Sequence, residues 1–181
     1  ISSYTMNASM SMKGQNIDFK TIKAQGGKEV TTVTAMGQVM QKQVFDGKTG
    51  YSEQMGKKID ITPEQIAEKQ KTPELFEELS FAKSADYKLG GIEKINGEDS
   101  YVIKGGDTTY YYSVATGLKT GETKKVKAQG QEMIIPTTFS DYKEVNGVKM
   151  PYTISVSQMG MDMTMKVKSY EVNKATDADF K

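Results

Sequence analysis

The 181-residue chain contains no histidine, no cysteine and no tryptophan. Its 24 basic residues are all lysine, so arginine is missing too. Each absence closes off chemistry. Without histidine the commonest general base and the commonest zinc ligand are gone. Without cysteine there are no disulfides and no thiolate, and the redox compartment leaves no mark on the chain. Without arginine no guanidinium fork can grip a phosphate or carboxylate in two places. The 23 acidic residues nearly cancel the lysines, which gives the chain as a whole no electrostatic case for nucleic acid or an anionic membrane. No apolar run approaches the ~20 residues that span a bilayer as a helix.

Catalytic motifs fare no better. A nucleophilic triad needs a base beside its serine or cysteine; only a Ser–Lys pair is left, and no serine sits in a G-x-S-x-G elbow. Carboxylate pairs could serve glycoside chemistry, but Asp99, Asp107 and Asp141 read as turn formers. No D-x-D-x-D spacing marks a calcium loop, and Asp177 with Asp179 is only a pair. Phosphate-loop and dinucleotide fingerprints are absent. The expectation is a chain that is not an enzyme, with no cofactor and no metal site.

What is present is β pattern cut by glycine turns. Residues 4–12 alternate, with Met6, Ala8, Met10 and Met12 on one face and Thr5, Asn7, Ser9 and Ser11 on the other, as in a half-buried strand. Strands are then expected at 16–24, 29–36, 39–45 and 51–55, a meander of about five. After residue 86 the pattern resumes at 87–95, 100–104, 108–114, 118–128, 132–142, 148–157 and 162–172. Lys13-Gly14, Gly26-Gly27 and Gly130 fall between runs, and Asp46-Gly47, Asn96-Gly97 and Asn146-Gly147 are strong hairpin signals. The segments KINGEDSYVI and EVNGVKMPYTI look alike; two similar hairpins explain this more plainly than an internal repeat.

One stretch reads as helix, residues 62–79 (TPEQIAEKQKTPELFEEL). Thr62 and Thr72 each precede a proline suited to the first helical turn, Gln65 completes a capping box with Thr62, and Glu64 and Glu74 complement the helix dipole. Pro73 would break one long helix, so two short ones are expected at about 63–70 and 73–79. Leu75, Phe76 and Leu79 form the apolar side of the second, which is too short to stand without docking on something.

The fold class expected is mainly β with two short helices: a strongly curved antiparallel sheet, a half-open β-barrel, with helices covering its concave face. A two-sheet sandwich is the alternative, and it leaves the helices no docking place. Residues 1–181 read as a single domain, without linker or low-complexity tract. Because the chain starts at Ile1 rather than methionine, it is expected to be a piece of a longer protein. Twelve methionines is many, and most fall on alternating strand positions. Methionine is flexible and recurs on surfaces that adapt to varied apolar partners. Met6, Met10, Met12, Phe19, Phe45, Leu75, Phe76, Leu79, Met163 and Met165 are the candidate lining of an apolar cavity. The plainer reading is that these residues fill a core of their own, and that the Tyr110–Tyr112 run, which could be a binding platform, is an ordinary strand.

At 45–51 (FDGKTGY), 109–123 (TYYYSVATGLKTGET) and 139–154 (FSDYKEVNGVKMPYTI) the sequence resembles the LolA-like lipoprotein-sorting proteins. It resembles more closely the related domain that follows the peptidase modules of some insulinase-type (pitrilysin) zinc peptidases of the Bacteroidetes. The ending VNKATDADF is similar to the usual close of that domain. The resemblance spans about 4–180 and rests on hairpin motifs. It implies a half-open β-barrel of the periplasm or cell envelope, near the outer membrane, whose concavity holds lipid or the acyl chains of lipoproteins. The carriers control release with an arginine near the pocket. This chain has none, so lipoprotein shuttling does not follow from the resemblance. Nor can it hold the HxxEH zinc motif, which needs two histidines. Two functions stand as expectations: a binding module for a lipid, an acylated protein or an apolar peptide, and an accessory domain that positions a neighbouring peptidase module or its substrate.

Overall fold

The computed structural model describes residues 1–12, 14–71, 73–128, 131–158 and 160–181. In chain order its strands are β1 (Ser3–Met12), β2 (Gln15–Ala24), β3 (Lys28–Ala35), β4 (Gln38–Phe45), β5 (Gly50–Gln54), β6 (Lys57–Asp60), β7 (Tyr87–Ile95), β8 (Glu98–Gly105), β9 (Thr108–Ser113), β10 (Lys119–Ala128), β11 (Gln131–Val145), β12 (Val148–Gln158) and β13 (Met161–Val172). Helices α1 (Pro63–Gln70) and α2 (Glu78–Phe81) fall between β6 and β7, and a 3-10 turn (Asp177–Phe180) closes the chain. The strands form one sheet in the order β6-β5-β4-β3-β2-β1-β13-β12-β11-β10-β9-β8-β7, and the described registers are antiparallel. The sheet is not closed: β6 and β7, which the helical segment joins, are its two end strands. One sheet rather than a sandwich is thus what this sequence makes. By contacts the chain divides into two compact units, Ile1–Ser80 with Lys166–Lys181, and Phe81–Met165.

In the first unit β1 to β6 meander through short turns, and β1 also pairs with the end of β13, Tyr4 opposite Val172 and Met6 opposite Tyr170. Residues directly opposite in an antiparallel pair share a face. One face therefore carries Ile22, Val30, Val44 and Tyr51 in a row. Phe180 of the 3-10 turn packs there, with Ala24 and Ala175 beside it. The tail is held by Lys28 Nζ, 2.6 Å from Asp177 Oδ1, and by Ser2 N–H, which donates to Asn173 Oδ1 at 2.7 Å.

The opposite face takes the helical segment. Helix α1 begins as its sequence dictates: Gln65 N–H donates to Thr62 Oγ1 (3.3 Å) and Thr62 N–H to Gln65 Oε1 (2.8 Å), a closed capping box. The second helix departs from the expectation of 73–79. Residues 74–77 are bends and turn, and only Glu78–Phe81 are helical; Thr72, the expected cap, lies outside the described residues. On a helix consecutive side chains point about 100° apart. Leu75 and Phe76 are consecutive and both pack, Leu75 buried and Phe76 against Tyr4, which an irregular bend allows and a helix resists. The segment comes so close to the β2–β3 turn that a side chain at Gly27 (φ +73) would sit 3.5 Å from the Pro73 Cα.

In the second unit Asn96-Gly97 (φ 51 and 89) and Asn146-Gly147 (φ 53 and 83) turn the hairpins they predict. Phe81 packs on Tyr87, Tyr110 and Tyr112, with ring centroids 4.8, 5.2 and 6.0 Å away. Two tyrosines of the 110–112 run therefore hold a phenylalanine. Lys119 Nζ lies 4.8 Å from the Tyr110 ring and 4.9 Å from that of Phe139, and pairs with Glu122 Oε2 at 2.5 Å.

Several local expectations need correction. Strand β6 was not anticipated: all four residues of KKID are exposed, with no buried alternation to betray it. The expected strands 29–36 and 51–55 stop one residue early, because Met36 and Met55 are turn residues at φ 50 and 49. Asp46-Gly47 does join a hairpin, but through a four-residue loop: Asp46 Oδ1 accepts from both Lys48 and Thr49 N–H at 2.8 Å. Asp99 and Asp141 lie within β8 and β11 rather than in turns, Asp141 at φ 57. Gly130, and Lys13 of the Lys13-Gly14 turn, lie outside the described residues.

Candidate functional site

The apolar face of the first unit follows from strand parity. Tyr4, Met6, Ala8, Met10 and Met12 alternate along β1. The register sets Ala8 opposite Phe19 and Met10 opposite Ile17, then Phe19 opposite Val33 and Ile17 opposite Ala35. On the other side Met6 faces Tyr170 and Ala8 faces Val167. All share one face.

One end of that face is covered. Across it run Tyr4, Lys23, Glu29 and Phe45 as successive partners. The Phe76 ring stacks on Tyr4, 6.1 Å between centroids and 21° between planes, while Tyr170 meets Tyr4 edge-on at 6.0 Å and points its hydroxyl at Met6 Sδ, 3.5 Å away. Lys69 of α1 sets its ammonium 5.6 Å over the Phe45 ring and 3.6 Å from Glu29 Oε2. Phe45 is 1% exposed and Leu75 8%, so the protein's own side chains fill this end. Burial pushes the Tyr4 hydroxyl pKa up from its ordinary value, with Lys23 pulling the other way. A pocket of 220 Å³ opens at the edge of the cover, lined by Lys23, Lys28, Glu29, Lys69, Glu74 and Leu75 among others; its wall is ionic rather than apolar.

Further along the same face Ala8 is also buried, at 1% exposed. Met10, Ile17, Phe19, Val33 and Ala35 are half-buried there, and Met12 is exposed. The ten residues singled out in the sequence therefore separate. Phe45 and Leu75 are enclosed, Met6 and Phe76 are linked through Tyr4 and Tyr170, and Met10, Phe19 and Met12 lie along the same face towards its open end. Leu79 is 52% exposed. Met163 and Met165 belong to the second unit, half-buried at alternate positions of β13. Tyr4, Tyr170 and Lys69 were missed. Tyr4 could have been found, because it keeps the parity of the methionine stripe. Tyr170 could not, because it depends on the β1–β13 pairing.

The arrangement offers apolar surface, with Lys23, Glu29 and Lys69 at its edge. Among the described residues no group of three or more carboxylates could hold a metal ion, and no helix is long and apolar enough to cross a membrane.

No protein-family model matches the chain, and no curated protein does. Solved structures do. A LolA superfamily protein from Nitrosomonas europaea superposes with a TM-score of 0.66 at 12% identity, over 99% of this chain and 90% of that one. A DUF1329 family protein from Desulfovibrio piger superposes with a TM-score of 0.64 at 16% identity, over 99% and 89%. At such identities the likeness is one of fold. The chain has a LolA-like fold: mainly β, one unclosed antiparallel sheet and two short helices.

Proposed function

We propose that this chain is a non-catalytic binding module of the cell envelope, working in the periplasm, that holds a lipid, an acylated protein or an apolar peptide segment on the methionine-lined face of its first unit. The observation that carries the reading is the contrast along that face. Phe45 and Leu75 are buried and Phe76 stacks on Tyr4, whereas Met10, Ile17 and Phe19 continue the same apolar stripe only half-buried. The LolA-like fold supports it, being the fold that the sequence's resemblance ties to acyl-chain binding. Methionine suits a surface that accepts more than one shape of apolar partner. Mass spectrometry of lipid extracted from the purified protein is the test. A co-purifying amphiphile is the expected result, and a protein that carries none and displaces no fluorescent fatty acid contradicts the proposal.

A second reading, an accessory domain that positions a neighbouring zinc peptidase module or its substrate, draws support from the enclosed end, where Phe45 and Leu75 are buried among the protein's own side chains. It predicts that the open end also behaves as core, and that no amphiphile binds.

A further inference from the structure

The hairpin ends of the first unit differ from those of the second in a way the fold does not require. The second unit uses asparagine at the left-handed first position of its Asn96-Gly97 and Asn146-Gly147 turns. That choice is favourable, because asparagine's short polar side chain tolerates the conformation. The first unit makes the same turn with Met36-Gly37 (φ 50 and 75) and Met55-Gly56 (φ 49 and 78). Methionine has no such compensation, and these two side chains are 76% and 78% exposed, so burial within the chain returns little for the strained backbone.

Both tips lie at one end of the unit, because β3–β4 and β5–β6 are alternate hairpins of the same meander. The β1–β2 end joins them: Gln15 Nε2 is 3.9 Å from Met36 Sδ, and Met55 N–H donates to the Met40 carbonyl. Val39, beside the first tip, is exposed as well. Charge is distributed unevenly as well. Acids and bases balance over the whole chain, yet residues 14–16, 34–41 and 54–58 contain no Asp or Glu, and exposed Lys57 and Lys58 follow the second tip. The opposite end is mixed in sign, with Asp46 and Lys48 in one turn and Lys28 beside Glu29 at the start of β3.

We infer that this end of the first unit docks on an anionic lipid bilayer. Met36 and Met55 enter the boundary between headgroups and acyl chains, and Lys57 and Lys58 meet the lipid phosphates. A bilayer fits better than a protein partner. The apolar side chains stand one to a tip with Gln15, Gln38 and Gln54 between them, whereas a protein hot spot is a contiguous packed cluster. An interface of headgroups accepts separated apolar tips backed by cations. The surface is distinct from the apolar face and stands whether or not that face binds a ligand.

The test is co-sedimentation of the full chain with vesicles of phosphatidylethanolamine and phosphatidylglycerol, against vesicles of phosphatidylcholine alone. Binding to the anionic vesicles, weakening as salt rises, is expected. The double variant Met36→Asn, Met55→Asn should lose about tenfold in affinity while melting no lower than the parent, since asparagine suits both turns. Lys57→Gln with Lys58→Gln should abolish the preference for anionic vesicles. The inference is overturned if the parent ignores anionic vesicles, or if the asparagine variant binds them as well as the parent does.

Discussion

The two ends of the first unit's apolar face are built from the same strands and the same kinds of residue, yet they are finished differently. At the β2–β3 turn end, Phe45 and Leu75 are enclosed, with Phe76 stacked on half-buried Tyr4 and Lys69 bridging Phe45 and Glu29. Towards the β1–β2 hairpin, Met10, Ile17 and Phe19 carry the same parity but are only half-buried. An apolar stripe in a strand therefore does not say what it is for. The cover decides: sealed stripe is core, and stripe beyond the seal is surface available to a partner.

Substitutions should separate the two ends. The largest loss is expected from Phe45→Ala, about 3–5 kcal/mol, the cost of a large side chain removed from a filled core. Leu75→Ala follows at about 2–5 kcal/mol. Denaturant midpoints measure both, and a loss below about 1 kcal/mol at either residue would mean that the enclosed end is not core. Phe76→Ala, at a half-buried ring, should cost less than Leu75→Ala in the same titration and should loosen the helical segment, seen as faster amide exchange in α1. Phe19→Ala and Met10→Ala should cost about 1 kcal/mol or less, yet weaken uptake of a fluorescent fatty acid. Equal losses at Phe19 and Phe45 would erase the contrast.

The smallest effect is one of pH, and it concerns the loop beneath the cover, where Gln70 Nε2 donates to the Gly47 carbonyl. Asp46 has its pKa lowered from the ordinary 3.8, first by the Thr49 N–H and then by that of Lys48. A carboxylate with a depressed folded-state pKa stabilises the fold above its unfolded value, and that contribution is lost as pH falls through the folded one. Stability should therefore be insensitive to this group at neutral pH and decline only below about pH 4. Asp46→Asn should flatten that acid limb slightly. An Asp46-dependent change between pH 5 and 8 would contradict the assignment.

Much of this was legible in the sequence, and the failures are instructive. Helix α1 was readable because its start is written in Thr62, Pro63 and Gln65, residues that act within one turn of the chain. The Asn-Gly hairpins were readable for the same reason. The second helix was misread because Leu75 and Phe76 obey packing against the sheet, which overrides helical spacing. Strand β6 was invisible because Lys57, Lys58 and Asp60 carry no buried face. Met36 and Met55 passed for strand residues, since nothing local marks a methionine as the residue that will take a left-handed turn. In the candidate site, parity along β1 gave the methionine stripe. Its partner Tyr170 and the clamp of Lys69 on Phe45 arise only when distant segments meet.

The central claim is that the stripe beyond the cover binds an apolar ligand, and a fluorescent fatty acid titration on the parent chain beside Phe19→Asn tests it most directly. The account predicts saturable binding by the parent, binding reduced about tenfold in the variant as polar surface replaces an aromatic contact, and little change in melting temperature. No binding by the parent, or equal binding by a variant that remains folded, would contradict it.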